Sequence, residues 1–422
     1  MNVFPLRAAQ TVERTDQGRL RLSVLAADRS QPIDNASVTI SYSGDPDSII
    51  EEANTDSSGQ IPELTLPAPP LEYSMAPSEY QPYAEYTFRI SKEGYEDLEI
   101  SGAEILPDVT ATQQAFLRPA APGQPFQDIV IPAHTLFGNY PEKIPEDEIK
   151  PMETSGEIVL SRVVIPETIV VHDGTPDNTS ARNYFVRYRD YIKNVASSEI
   201  YATWPKDTIR ANVLAIMSFT LNRVYTEWYR NKGYDFTITS STAFDHKWIY
   251  GRNFFESISE VVDELFDNYL SRPGVRQPIL TQYCDGQRVQ CPGWMTQWGS
   301  KYLGDQGYTA IEILRDFYGD NMYINTAEEI SGIPASWPGA PLDIGSSGNK
   351  VRQIQEQLNT IAGSYPALSR ISADGIYGEA TQNAVREFQR VFNLPATGVV
   401  DYPTWYEIQE IFVGVSRIAE LV

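Results

Sequence analysis

The 422-residue chain holds only two cysteines and three histidines. Two cysteines cannot form a four-thiolate zinc site. No run approaches ~18 consecutive apolar residues, so no membrane span is indicated. Positive charge is scarce: 33 Lys and Arg stand against 56 Asp and Glu, a formal net charge of −23. That balance argues against nucleic-acid binding by phosphate neutralisation. It also argues against docking to an anionic membrane surface. The opening residues, MNVFPLRAAQTVERT, lack the apolar segment of a classical secretory signal. A trimmed signal, non-classical export, release by lysis or deposition from a sporulating mother cell all stay open. A neutral glycan is compatible with the charge. The 25 Tyr and 7 Trp offer flat faces with polar rims that suit sugars, as well as ordinary core positions.

The length predicts two to four domains. Residues 1–14 read as an N-terminal arm. From 15 to 118 apolar residues alternate, as in Leu20-Leu22-Val24, Ala36-Val38-Ile40 and Tyr86-Phe88-Ile90. Turn clusters separate these runs, which predicts an antiparallel β-sandwich. Ala36 to Ile40, the Thr55-Asp56-x-x-Gly59 element and Ser91 to Tyr95 resemble transthyretin-like or carboxypeptidase-regulatory-like modules. That resemblance implies a spacer or a platform for a protein partner. Residues 119–157 are rich in Pro and acid and read as a linker, with His134 on its surface. A central α+β domain is expected over 158–328, with His172 in a turn. A second linker covers 329–341, and a compact three-helix unit covers 342–416.

Glu199 is the residue with the most chemistry in its pattern. Tyr188, Ile192, Val195 and Ala196 recur at helical spacing, and Glu199 falls next on that apolar stripe. Burial disfavours a charged carboxylate and raises its pKa, which suits a general acid. The alternative is a helix-terminal Glu held by an Arg or Lys.

Several segments carry a family resemblance in order. They are Tyr191, Val195, Ser198-Glu199, Trp204-Pro205, the helical run Ile209 to Val224, Phe236 to Thr242, Ile258 to Tyr269, Pro278 to Tyr283 and Met295-Thr296-Gln297-Trp298-Gly299. This set resembles the SpoIID/LytB family of peptidoglycan-acting proteins. The resemblance implies that Glu199 is the catalytic acid/base and Gln297 a partner in the site. Tyr201, Trp204, Tyr283, Asp285 and Trp298 follow as candidates for substrate contact. The family's usual Ser-rich loop and Gly-His-Gly run are not matched: Cys284 and Cys291 stand near those positions.

In the last unit, Val351, Ile354 and Leu358 mark one amphipathic helix. Ala384, Val385, Phe388 and Phe392 mark a second, with Thr381 expected as its N-cap. Asp401 to Phe412 make the third. The Asp374-Gly-x-Tyr377-Gly-x-x-Thr381 motif resembles that of the three-helix peptidoglycan-binding domain. It implies that Asp374, Tyr377 and Thr381 touch cell-wall glycan or stem peptide. Turn geometry alone also accounts for the same residues.

Cys284 and Cys291 read as a disulfide closing a short loop, which fits an extracellular, cell-wall or spore-envelope setting. The alternative is zinc held by both thiolates and His246; otherwise no cofactor is expected. These readings together predict a peptidoglycan-binding lytic transglycosylase. The competing expectation is a non-catalytic wall-binding adaptor, or a structural part of a spore-surface or phage-like assembly.

Overall fold

A computed structural model describes residues 15–27, 31–120, 126–150, 162–333 and 335–416. The expected arm, residues 121–125 and 151–157 of the expected linker, and residues 158–161 at the start of the expected central domain lie outside the described residues. The N-terminal part comprises β1 (Asp16–Ala26), β2 (Ser37–Tyr42), β3 (Asp45–Asn54), β4 (Leu64–Ala68), a short α1 (Glu72–Met75), β5 (Ala84–Ser91), β6 (Leu98–Ile105), β7 (Thr110–Leu117) and β8 (Gln127–Val130). The central part begins with β9 (Val164–Ile165), β10 (Thr168–His172) and β11 (Asn183–Arg187). It continues through α2 (Tyr188–Glu199), α3 (Lys206–Tyr225), β12 (Ile238–Thr239), β13 (Phe254–Phe255) and α4 (Glu256–Leu265). It closes with β14 (Asn268–Ser271), β15 (Tyr283–Cys284), β16 (Met295–Thr296), α5 (Gln297–Asp305), α6 (Ala310–Tyr318), β17 (Tyr323–Thr326) and β18 (Glu329–Ile330). The last part is helical: α7 (Asn349–Ser364), α8 (Glu379–Val391) and α9 (Tyr402–Ser416).

Period-two patterning builds the N-terminal part, because alternate residues of a strand share one face. Leu20, Leu22 and Val24 of β1 point into a core shared with Val38 and Ile40 of β2 and Tyr86, Phe88 and Ile90 of β5. The two sheets run β13-β7-β1-β4 and β3-β2-β5-β6-β8. They are mixed and not purely antiparallel: β1 pairs parallel with β7, and β6 parallel with β8.

The sandwich is built into the central domain. Phe254 and Phe255 of β13 add to the edge of β7. Asn253 receives the Glu104 N–H at 3.0 Å and donates to the Glu104 carbonyl at 2.9 Å. Arg252 reaches the buried Glu104 carboxylate at 2.6 Å. Such a surface holds two domains in one fixed relation.

Residues 126–150 are not the exposed linker that their composition predicts. Strand β8 extends the sandwich, and the chain then lies across the central domain. His134 is fully buried, its ring centroid 4.6 Å from that of Tyr201. A lone polar residue in a Pro-rich stretch reads as surface, yet here the aromatic neighbours enclose it. His172 likewise ends β10 and stacks on Phe236 at 4.4 Å, where a turn was expected.

Helix α3 is apolar or buried on nearly every side, the mark of a central helix. The helices and loops around it form one core continuous with the sandwich. β18 pairs with β9, so the central domain extends through Ile330. The C-terminal helices pack around Val351, Ile354, Phe388, Trp405 and Ile408. An Arg189 ion cluster joins this domain to the central one. Arg189 is 2% exposed and reaches Asp263 at 3.0 Å, Glu407 at 2.7 Å and Glu410 at 2.8 Å. No helix among the described residues is long and apolar enough to cross a membrane.

Candidate active site and wall-binding domain

Glu199 is the last residue of α2 and is 3% exposed. Its Oε1 accepts the backbone N–H of Lys247 at 2.6 Å. Its Oε2 accepts the Tyr283 hydroxyl. Burial raises the Glu199 carboxyl above its ordinary range. The nearby Lys143 charge, the Tyr283 hydroxyl and the Lys247 N–H oppose that rise without cancelling it. Burial also pushes the Tyr283 phenol well upward, so it stays a hydrogen-bond donor. A carboxyl that both donors hold while burial favours its neutral form can give up a proton into an adjoining space.

That space is a small cleft of about 50 Å³. It brings together Glu199, Gln297, Tyr283 and Asp285 from the sequence-derived set. Lys143, Tyr140 and Arg288 join them. A volume of that order holds a water or two and not a sugar ring. The Lys143 ammonium lies 5.2 Å from the Tyr283 ring centroid and donates to the Asp245 carbonyl. Burial lowers its pKa, against the pull of Glu199 and Asp245. No sequence pattern marks Lys143, because it sits in a stretch that reads as linker.

Asp285 is in the cleft, but its carboxylate is occupied. It accepts the backbone N–H groups of Gln287 at 3.2 Å, Arg288 at 2.9 Å and Val289 at 2.8 Å. This geometry makes it the organiser of the loop that walls the cleft. Gly286 turns that loop at φ +78°, and an added Cβ would lie 2.5 Å from the Thr296 Cβ. Cys284 and Cys291 are joined as a disulfide across the same loop. Neither sulfur then offers a thiolate to a metal. His246 is fully buried with its Nδ1 3.1 Å from the Tyr191 hydroxyl. The three residues as arranged do not fit a zinc site.

Tyr201, Trp204 and Trp298 do not line the cleft as open sugar platforms. They pack on one another, with centroids 5.0 Å apart for Trp204 and Trp298 and 5.8 Å for Tyr201 and Trp204. All three are buried. Trp204 Nε1 donates to the Ser74 carbonyl of α1 at 2.9 Å, so it ties the sandwich to the central domain.

In the C-terminal domain the three motif residues act within the fold. Asp374 accepts the Ile376 N–H at 2.8 Å and Gln355 Nε2 at 3.1 Å. Tyr377 is 1% exposed and donates to the Gly398 carbonyl at 2.8 Å. Thr381 is not the N-cap: α8 starts at Glu379 after Gly378, and buried Thr381 takes a hydrogen bond from Gln355 at 3.0 Å. Ile376 is an exposed large apolar side chain of this loop, at 61%.

Residues 347–408 match the family model described as a peptidoglycan binding domain. The C-terminal domain is a peptidoglycan-binding domain. Over 77 residues the chain is 38% identical to the zinc D-Ala-D-Ala carboxypeptidase of Streptomyces albus G. That stretch covers 18% of this chain and 28% of the relative, so the chain spans under a third of the length of that relative. Among solved structures, the SleB N-terminal domain is 26% identical over 18% of this chain and 99% of its own, with a TM-score of 0.16. Catechol 1,2-dioxygenase from Acinetobacter sp. ADP1 is 14% identical over 27% of this chain and 59% of its own, with a TM-score of 0.18. Scores of that size do not establish a shared fold. The family match supports binding to the cell wall.

Proposed function

We propose that this wall-binding protein cleaves peptidoglycan glycan strands as a lytic transglycosylase, with Glu199 as general acid and base. The observation that carries the reading is Glu199 itself, buried at the end of α2, held through both oxygens and facing a cleft it shares with Gln297. Glu199 gives its proton to the glycosidic oxygen between muramic acid and glucosamine as the C1–O bond breaks. The resulting carboxylate takes the proton from the muramic 6-hydroxyl. That oxygen closes on C1 and leaves a 1,6-anhydro end. No water is consumed, and one carboxyl serves both steps because the nucleophile is part of the substrate. Gln297 orients the sugar.

The SpoIID-like order of motifs supports this reading, and the transthyretin-like sandwich serves as a rigid brace. The disulfide suits an extracellular or spore-envelope site. A second reading, a non-catalytic wall-bound adaptor whose sandwich docks a protein partner, draws on one observation: the cleft beside Glu199 has a volume of only about 50 Å³. A digest of purified peptidoglycan analysed for anhydromuramyl ends separates the two.

A further inference from the structure

A larger cavity, of about 330 Å³, lies where the sandwich, the central domain and the peptidoglycan-binding domain meet. The mechanism at Glu199 makes no use of it. Its volume is in the range of small-molecule sites, which run from roughly 300 to 1,000 Å³. One hydrogen bond pins two of its walls together: Gln60 Nε2 of the sandwich donates to the Val391 carbonyl of α8 at 2.7 Å.

The lining says what class of ligand fits. Both arginines at its edge are already answered within the protein. Arg187 pairs with Asp190 at 3.0 Å and Glu410 at 3.5 Å. Arg189 is taken by Asp263, Glu407 and Glu410. An anionic ligand would have to displace one of these pairs, and breaking a buried pair is costly. Glu167 adds a carboxylate and Leu25, Ile330 and Ile333 add apolar surface; beside them the cavity offers neutral polar groups and an aromatic face. Gln114 and Asn393 bring side-chain amides, and half-buried Phe392 brings a ring backed by Tyr365 at 4.9 Å. Amides beside an aromatic face match the acetamido and hydroxyl groups of an amino sugar and its apolar ring face.

We infer that this three-domain cavity is a saccharide-binding site that takes an uncharged, N-acetylated disaccharide. The site rests on the wall-binding role of the chain and not on cleavage at Glu199. It gives the protein a second hold on glycan, assembled only when the three domains are docked as they are here.

The test titrates the full chain with N,N′-diacetylchitobiose, followed by calorimetry. Two variants accompany it. Gly414→Trp plugs the cavity from α9, where an added Cβ meets nothing within 4 Å. Gln114→Leu keeps the size of the side chain and removes its amide. Saturable binding by the wild type, weakened about tenfold or more by Gln114→Leu and abolished by Gly414→Trp, is the expected result. Should Gly414→Trp fail to fold, Gln114→Leu decides alone. The inference is overturned if the wild type does not bind the disaccharide while still pelleting with purified wall. Binding that Gln114→Leu leaves unchanged overturns it equally. Failure of the wild type to pellet with wall at all would instead strike the wall-binding role.

Discussion

Tyr283 donates its hydroxyl to Glu199 Oε2, and the two side chains are buried together where α2 ends and β15 begins. The carboxyl is thereby fixed in direction while burial keeps its neutral form favoured. Because the folded pKa is raised, the stability that Glu199 contributes is full below the ordinary carboxylate range. It is lost as pH rises through the folded pKa. Activity that needs the acid form falls over the same rise.

Tyr283→Phe removes a donor that lowers the Glu199 pKa. The alkaline limb of the rate profile should therefore move to higher pH. The buried carboxyl oxygen left without its partner should cost about 1–3 kcal/mol of stability. A pH–rate profile together with denaturant unfolding measures both.

Lys143→Met removes the strongest charge opposing the rise of the Glu199 pKa. The alkaline limb should again shift upward, here without loss of a hydrogen bond to the carboxyl. Infrared titration of the Glu199 carbonyl stretch reads the shift even if the rate is too low to follow.

Acid stability should depend on Glu146. Burial pushes its carboxyl up, but hydrogen bonds from Arg223 and Lys150 outweigh this and hold its pKa at about 2. Its contribution is present above the ordinary carboxylate range and lost as pH falls through the folded value. The shift from 4.5 to about 2 corresponds to on the order of 3 kcal/mol. Glu146→Gln should thus lower stability at pH 7 and flatten its loss between about pH 4.5 and 2. Urea unfolding across that range is the measurement.

The Cys284–Cys291 bridge closes a short loop, and in the chain-entropy view such a loop is worth roughly 2–3 kcal/mol. A Cys284→Ser/Cys291→Ser double variant should unfold at lower denaturant by that amount. Hydrogen exchange should rise first at the amides of Gln287, Arg288 and Val289, which Asp285 holds.

Arg189 in the first turn of α2 clamps the wall-binding domain, while Glu199 ends the same helix. Arg189→Met should leave Glu407 without its ion-pair partner, while Asp263 keeps Lys193 at 2.8 Å, and cost about 3 kcal/mol. Small-angle scattering should then show the C-terminal domain released from its fixed position.

Strong periodicity made much of this legible. The stripe from Tyr188 to Glu199 and the apolar spacing of the last unit both form helices where their spacing places them. Strand partners were not legible: alternation reveals a strand but not that β1 chooses β7 in parallel. The placement of Lys143 and His134 was hidden too, because a Pro- and acid-rich composition is the same whether the chain is free or strapped across a domain. In the sequence Tyr201, Trp204 and Trp298 fit sugar faces and core positions equally, because aromatic side chains suit both, and only packing separates the two. Asp374, Tyr377 and Thr381 followed the motif, while their side chains serve the turn and the helix packing around Gln355 and Gly398.

The central claim is that Glu199 cuts glycan. Its most direct test is mass spectrometry of purified peptidoglycan, with and without stem peptides, after digestion by the wild type and by Glu199→Gln. The account predicts anhydromuramyl ends from the wild type and none from the variant, with both proteins still pelleting with the wall. Reducing ends from the wild type, or no products from either protein while both bind, would contradict it.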